Sequence, residues 1–184
     1  MVQFNKLFGN RSVIKLLEFF SNNPASSLSQ TDIIKKTKVG KVTAMVSLRK
    51  LEQNGILGLK QIGRTKLYSL RREDFFVKQL RRFFNLTSPM VEDLIGKIKD
   101  DAHKVIVFGS FARGEDREDS DIDMVVVGDI PKKEITAISD LILERYGKRL
   151  SVIVKTNEEF INMPKREPIL WNKLLEGGEA LYEA

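Results

Sequence analysis

The sequence of 184 residues contains no cysteine and a single histidine. The absence of cysteine excludes disulfide bonds and metal sites built on thiolates. One histidine leaves little material for a histidine-rich zinc site or for a Ser-His-Asp catalytic triad. The sequence therefore gives poor support to two common classes of functional site.

Long apolar runs are also missing, since none approaches the roughly 18 consecutive apolar residues of a membrane-spanning helix. The N-terminus has no apolar signal segment. Hydrophobic residues make up 42% of the chain, which is ordinary for a globular core. We therefore expect a soluble, cytoplasmic protein without a membrane partner.

Acidic residues are scarce in the first half of the chain. Residues 1–87 contain 17 Lys and Arg against 5 Asp and Glu, net +12. Residues 88–184 contain 14 Lys and Arg against 20 Asp and Glu, net −6. This split favours two domains with different partners, and a basic domain attracts polyanions through counterion release.

One stretch, residues 109–123, reads GSFARGEDREDSDID and lies between the short apolar segments 105–108 and 124–127. The pattern predicts a strand, a tight turn into a helix N-terminus, a loop, and a second strand that carries two carboxylates. Gly109 permits the sharp turn and a close approach to a ligand. Free backbone N–H groups at the helix start, the Ser110 hydroxyl and the Arg113 guanidinium then predict a phosphate site.

The two carboxylates are Asp121 and Asp123. Residues two apart on a strand point to the same face, and two converging carboxylates suit Mg²⁺ together with substrate phosphates. The segment therefore predicts a site for a nucleoside triphosphate with Mg²⁺. The alternative is a solvated acidic loop between two core strands.

The G-S-x10-D-x-D pattern resembles the minimal nucleotidyltransferases of the polymerase-β superfamily, and the resemblance covers roughly residues 88–184. It implies a mixed sheet flanked by helices and a two-metal transfer of a nucleotidyl group from a nucleoside triphosphate, with ATP expected. By the resemblance, Gly109 and Ser110 hold the phosphates, and Asp121 and Asp123 hold the metals.

Enzymes of this family usually carry a third carboxylate on a later strand. The matching strand is expected at residues 150–154, where Ser151 takes the carboxylate position. A serine cannot act as a general base near neutral pH, so nucleotide binding without transfer becomes an alternative. Glu144, Glu115 and Asp119 are other acids in the region, but each is more typical of a solvated face or loop.

The N-terminal half predicts three helices followed by a basic hairpin, with the third helix over residues 41–53 and hairpin strands over 56–61 and 64–70. This order resembles a winged helix-turn-helix domain, in which the third helix enters the DNA major groove and the wing contacts the backbone or minor groove. The resemblance implies that these side chains contact DNA: Lys41, Thr43, Ser47, Lys50, Arg64 and Lys66. The alternative is that the module packs against a protein or forms a dimer.

Between the halves, phenylalanines recur at helical spacing beside arginines. We expect a connecting helix that buries its aromatic side chains in a core or in a homodimer seam, with base stacking as the alternative. The predicted organisation is thus an α+β protein of two domains, a winged helix at 1–71, a connecting helix at 72–87 and a nucleotidyltransferase domain at 88–184.

The two resemblances imply a Mg²⁺-dependent nucleotidyltransferase with a DNA-binding winged helix, which transfers a nucleotidyl group to a protein or small-molecule hydroxyl. As an antitoxin-type enzyme, it would modify a toxin-like protein partner. The alternative is a DNA-binding transcriptional regulator whose nucleotidyltransferase domain binds nucleotide without turnover. In a third interpretation both modules are docking surfaces.

Overall fold

The computed structural model describes residues 11–184. The chain divides into two compact units, an amino-terminal unit that ends at Leu80 and a carboxyl-terminal unit, Arg81–Ala184. Residues 1–10 of the predicted first domain lie outside the described residues. The predicted domain boundaries at 71/72 and 87/88 stay a prediction.

From residue 11 to the end of the hairpin, the amino-terminal unit contains three helices and a three-stranded antiparallel sheet in the order β1-β3-β2. Its elements in chain order are α1 (Arg11–Asn22), β1 (Ser27–Ser29), α2 (Gln30–Thr37), α3 (Lys41–Gln53), β2 (Leu57–Ile62) and β3 (Thr65–Leu70). Ser29 caps α2 because its side chain accepts a hydrogen bond from the backbone N–H of Asp32. The hairpin turns at Gly63, whose φ of 58° suits the first central position of a type II′ turn, so Arg64 lies at the tip.

Helix α3 spans the predicted residues but presents a different face to the core. Ala44, Ser47, Leu48 and Leu51 are buried, at the spacing of three and four residues that marks one side of a helix. Because Ser47 lies in this row and is only 3% exposed, the prediction that it faces a DNA groove is wrong. The apolar side chains of Val42, Met45 and Val46 lie outside this buried row and are exposed.

Helix α4 (Phe75–Leu86) contains the division between the two units. Its buried side chains include Val77, Arg81, Phe84 and Asn85. Phe75 is 77% exposed and Phe76 is 58% exposed, so the expectation of burial in a core is wrong for these two side chains. The helical period places Phe76 on the opposite side of α4 from Asn85.

The carboxyl-terminal unit is a mixed four-stranded sheet with helices, as predicted for the fold class. Its remaining elements are α5 (Pro89–Ile98), β4 (Ala102–Phe108), α6 (Gly109–Arg113), β5 (Ile122–Gly128), α7 (Lys132–Tyr146), β6 (Leu150–Lys155), α8 (Asn157–Arg166), α9 (Pro168–Gly177) and β7 (Glu179–Glu183). The strand order is β6-β5-β4-β7; β5 and β6 are parallel and the other pairs are antiparallel. Across residues 11–184, no helix combines the length and apolar character needed to cross a bilayer.

Two apolar clusters cover the two faces of this sheet. One face packs on helices α5 and α7, with β5 contributing Ile122, Met124 and Val126. The other face packs on α8 and α9, with β5 contributing Val125 and Val127. Because side chains alternate along a strand, Asp123 lies on the same side of β5 as Val125 and Val127, the side that α8 and α9 cover.

Candidate functional site

A cavity of about 390 Å³ opens where β4 runs into α6. It is lined by Phe108, Gly109, Ser110, Arg113, Asp123, Lys173 and Glu176. The cavity therefore brings together four residues that the sequence placed in one site: Gly109, Ser110, Arg113 and Asp123. Asp121 is not among the lining residues.

The Asp123 carboxylate packs against Gly109. Gly109 has a φ of +74°, and a methyl group added there would lie 2.6 Å from Oδ2 of Asp123. Only glycine combines this left-handed backbone with so close an approach. The turn between β4 and α6 is thus shaped around the carboxylate.

Asp123 and Asp121 differ in their partners. The half-buried carboxylate of Asp123 has no hydrogen-bond or ion-pair partner within the described part of the chain. Asp121 is exposed, and its Oδ1 accepts a hydrogen bond from Nε of Arg149 at 2.8 Å. One carboxylate is therefore free to bind a cation, while the other already has a cationic partner.

The side chains present fit a Mg²⁺ ion with few protein ligands. Asp121 directly precedes β5 and Asp123 is its second residue, and Mg²⁺ takes one or two carboxylates together with phosphate oxygens and water. In residues 11–184 no group of three or more metal-ligating side chains comes together. The donor set suits an ion that arrives with a nucleotide better than a resident metal.

Strand β6 carries no carboxylate beside this pair. In the parallel register of β5 and β6, Ser151 lies opposite Asp123. The serine thus takes a place next to Asp123, where a carboxylate would have converged on the same cation. Ser151 is exposed.

Of the three substitute acids considered from the sequence, Glu115 is already engaged, because its Oε2 accepts a hydrogen bond from Nε of Arg113 at 2.9 Å. Neither Glu144 nor Asp119 lines the cavity. The ion pair with Glu115 also offsets part of the positive charge that Arg113 would present to a phosphate.

Two cavity residues, Lys173 and Glu176, were missed by the sequence analysis, which treated this region as scaffold. Both lie on α9, three residues apart and therefore on one face of the helix. Neither side chain has a hydrogen-bond or ion-pair partner among the residues described. Their only sequence signal was polar character on an amphipathic helix, which does not distinguish a cavity wall from a solvated surface.

The start of the loop between α6 and β5 is held by a buried polar network that the sequence did not reveal. Arg81 is 1% exposed and donates to the carbonyl oxygens of Gly114 and Asp116, each at 2.7 Å, and to Oδ1 of Asp116 at 2.8 Å. Asn85 donates to the same Oδ1 at 2.8 Å and to the Phe111 carbonyl oxygen at 2.9 Å. Helix α4 therefore fixes the chain just beyond α6.

Two neighbouring cations hold the later part of this loop. Nζ of Lys148 donates to the carbonyl oxygens of Arg117 at 3.1 Å and Glu118 at 3.2 Å. Nη2 of Arg149 donates to the carbonyl oxygen of Asp119 at 3.2 Å, in addition to its bond with Asp121. The loop that joins the two halves of the motif is thus tied along its length.

In the amino-terminal unit, the other five residues predicted to contact DNA are exposed: Lys41, Thr43, Lys50, Arg64 and Lys66. Within residues 11–184 none of their side chains forms an ion pair or hydrogen bond. Their role in DNA binding stays a prediction.

Residues 91–174 match the family described as a nucleotidyltransferase domain. Two proteins of Methanocaldococcus jannaschii, both named "Putative protein adenylyltransferase", are similar in sequence. The first is 35% identical over 95 residues, which covers 50% of this chain and 90% of the relative. The second is 29% identical over 106 residues, 54% of this chain and 71% of the relative.

Solved structures with a similar part include a toxin–antitoxin with AMP-PNP, at 14% identity and a TM-score of 0.39 over 51% of this chain and 73% of that chain. Another contains a tri-AMPylated Shewanella oneidensis HEPN toxin in complex with MNT antitoxin, at 13% identity and a TM-score of 0.36 over 56% of this chain and 73% of that chain.

Proposed function

The chain belongs to the nucleotidyltransferase domain family, and from this membership we propose that its carboxyl-terminal unit transfers an adenylyl group from ATP to a hydroxyl group of a protein. The names of the sequence relatives support the acceptor class, since both are described as protein adenylyltransferases. A toxin-like protein, the acceptor expected from the sequence, remains part of this proposal.

One observation carries the proposal: the free, half-buried carboxylate of Asp123 against Gly109, in a cavity that also contains Ser110. An acid in this position costs free energy unless a cation or a donor joins it. A nucleotide accompanied by Mg²⁺ would supply the cation beside the carboxylate and phosphate oxygens for the donors nearby.

Asp123, together with Asp121, would hold the Mg²⁺ ion. When bound, such an ion neutralises charge on the phosphates and stabilises the oxygens that attack and leave the phosphorus. Binding would require Asp121 to exchange its Arg149 partner for the ion.

The residues around the cavity would orient the nucleotide. The Ser110 hydroxyl donates to a phosphate oxygen, and Gly109 lets the backbone approach the triphosphate closely. Arg113 contributes less than its charge suggests, because Glu115 is bound to it. The fixed loop beyond α6 keeps these donors in place while the nucleotide enters.

Incubation of the full chain with ATP labelled on the α-phosphate, Mg²⁺ and a cell extract tests this function. We expect one or more labelled proteins, and we expect Asp123→Asn to abolish the label. Asp129→Asn is a matched control, because Asp129 is exposed and does not line the cavity. An absence of labelled protein would refute the transfer, and equal labelling by Asp123→Asn would refute the assignment of the transfer to this cavity.

The second candidate is a sensor that binds nucleotide without turnover. The observation in its favour is Ser151, which lies opposite Asp123 where a third carboxylate is expected. Calorimetry with ATP and Mg²⁺ separates the two functions. ATP binding that Asp123→Asn removes, combined with an absence of labelled product in every extract, would favour the sensor.

For the amino-terminal unit we propose a winged helix-turn-helix that binds DNA. The exposed cations of α3 and of the hairpin, which lack ion-pair partners among the described residues, support this proposal, as does the net charge of +12 over residues 1–87. Binding to duplex DNA should weaken steeply as salt rises. Binding that is absent, or that does not respond to salt, would instead favour a protein-docking module or a homodimer.

A further inference from the structure

In the proposed site, no residue has yet been assigned as the proton acceptor. A hydroxyl that attacks a phosphorus atom must lose its proton, and a positioned carboxylate can take it. Asp121 and Asp123 are assigned to the cation, and Ser151 occupies the neighbouring position on β6. The acid that completes the site must therefore come from another element.

Helix α9 is the element placed to supply it. Its Leu174 packs in the same apolar cluster as Val125 and Val127, so α9 covers the face of β5 to which Asp123 belongs. The contact is close at the next turn, where a methyl group added at Gly177 would lie 3.3 Å from Cγ of Arg113. Glu176, one residue earlier, lines the cavity together with Asp123.

The charged side chains that α9 contributes to the cavity are unpaired, whereas two charged side chains near the motif are paired. Arg113 is bound to Glu115, and Asp121 is bound to Arg149. Lys173 and Glu176 line the same cavity and have no partner among the residues described, not even each other. The free acid matches the proton acceptor that the proposed reaction still requires, and the free cation on the same helix face suits the negative charge of a triphosphate.

We propose that α9 completes the nucleotide site, with Glu176 as the proton acceptor and Lys173 as a cation that binds the triphosphate. This inference rests on the proposed transfer. The oxygen of the acceptor hydroxyl forms a bond to the α-phosphorus of ATP, and its proton passes to the Glu176 carboxylate. The bond from the α-phosphorus to the bridging oxygen breaks, and pyrophosphate leaves with the electron pair.

The first test measures labelling of an acceptor found in the extract experiment. We expect Glu176→Gln to slow transfer by about 10²- to 10⁴-fold, the usual contribution of a general base. ATP affinity should stay within about twofold of wild type, since the amide keeps the size of the side chain and α9 remains in place. Glu144→Gln is the control, because Glu144 is an exposed acid outside the cavity, and it should transfer normally.

The second test asks whether a carboxylate on strand β6 can replace the carboxylate of Glu176. Ser151→Asp places a carboxylate opposite Asp123 on β6, and we expect it to restore at least part of the transfer when combined with Glu176→Gln. A structural role of Glu176 would not be rescued from another strand. Normal transfer by Glu176→Gln alone, or an equal loss in Glu144→Gln, would overturn the proposal.

The third test addresses Lys173 by calorimetry with ATP and Mg²⁺. We expect Lys173→Met to weaken ATP binding about tenfold, which is one charge-assisted contact of about 1.4 kcal/mol. Lys165→Met, at an exposed lysine of α8 outside the cavity, should leave the affinity unchanged. Equal affinities of the two variants would exclude Lys173 from the nucleotide site.

The labelling and ATP-binding measurements distinguish a failure of the proposed function from a failure of the inference about α9. If wild-type protein binds ATP but labels no acceptor, the transfer fails and the base role of Glu176 falls with it. The Lys173 measurement would still decide whether α9 borders the nucleotide. If wild type labels an acceptor and both α9 variants behave as wild type, only the inference is wrong.

Discussion

The two units use their cationic side chains in opposite ways. In the carboxyl-terminal unit, most of the arginines and lysines near the motif are tied to acids or carbonyl oxygens, as Arg81, Arg113, Lys148 and Arg149 are. In the amino-terminal unit, the cations of α3 and the hairpin have no ion-pair partner in the described part of the chain. Paired charges shape a site inside the molecule, whereas unpaired charges are available to a partner outside it.

Lys173 and Glu176 are exceptions to the pairing of charges in the carboxyl-terminal unit. They belong to the unit in which charges are mostly paired, yet both are free and both line the cavity. Both side chains are exposed, as unpaired charges usually are, but both also border the cavity that contains Asp123.

The largest effect is expected from removing a paired cation, which tests whether such pairs stabilise the fold. Arg81→Met leaves Asp116 buried without its main partner and should lower the free energy of unfolding by about 3 to 5 kcal/mol. Lys50→Met removes a free, exposed cation and should change it by less than about 0.5 kcal/mol. Urea unfolding followed by the fluorescence of Trp171, the single tryptophan, reports the carboxyl-terminal unit for the first variant, and circular dichroism reports the second. Equal free energies of unfolding for the two variants would show that the buried pair of Arg81 is not more important for stability than an exposed, unpaired lysine.

The next effect tests the contact between Gly109 and Asp123. Gly109→Ala forces a left-handed alanine and pushes its methyl group onto the carboxylate, so we expect a loss of about 1 to 3 kcal/mol in stability and a strong loss of ATP binding. Gly96→Ala is the matched control, because nothing lies within 4 Å of the added methyl group. Undiminished ATP binding by Gly109→Ala would show that the turn is not part of the nucleotide site.

A smaller effect tests whether the free cations of the amino-terminal unit face a polyanion. Lys50→Ala and Arg64→Ala should each weaken binding to duplex DNA and lower the slope of log affinity against log salt by about 1. Lys97→Ala, an exposed lysine of the carboxyl-terminal unit, should leave the slope unchanged. Fluorescence anisotropy at several salt concentrations provides the measurement. A loss as large in Lys97→Ala would mean that binding follows overall charge.

The smallest effect separates buried pairs from exposed ones within the carboxyl-terminal unit. Nζ of Lys104 lies 2.8 Å from Oε1 of Glu183, but the Glu183 side chain is 63% exposed. Water screens such a pair, so Lys104→Met should lower the free energy of unfolding by no more than about 1 kcal/mol. A loss that equals that of Arg81→Met would show that pairing itself, and not burial, governs stability.

Much of the fold could be predicted from local sequence. Helix α3 occupies the predicted residues 41–53, and strand β6 contains the predicted residues 150–154, because apolar periodicity and the residues that begin and end helices are local signals. The rotation of a helix about its axis was harder to predict. Ser47 is small enough to pack in a core, and a polar side chain alone does not show which side of α3 is buried.

The same limit explains the exposed phenylalanines of α4. Aromatic side chains at helical spacing predicted an apolar seam, but the buried side includes Arg81 and Asn85 instead. These two side chains satisfy carbonyl and carboxylate oxygens of residues 111–116, about 30 positions later in the chain. A hydrogen-bond network between such distant segments leaves no periodic trace in the sequence.

Residue type and short-range spacing were enough to predict the mixed α+β character of the chain, the segregation of its charge and the motif of Gly109, Ser110, Asp121 and Asp123. They were not enough to predict which charges have no partner in the folded protein. Pairing depends on segments far apart in sequence, and so does the position of α9, which places Lys173 and Glu176 beside the same cavity as Asp123.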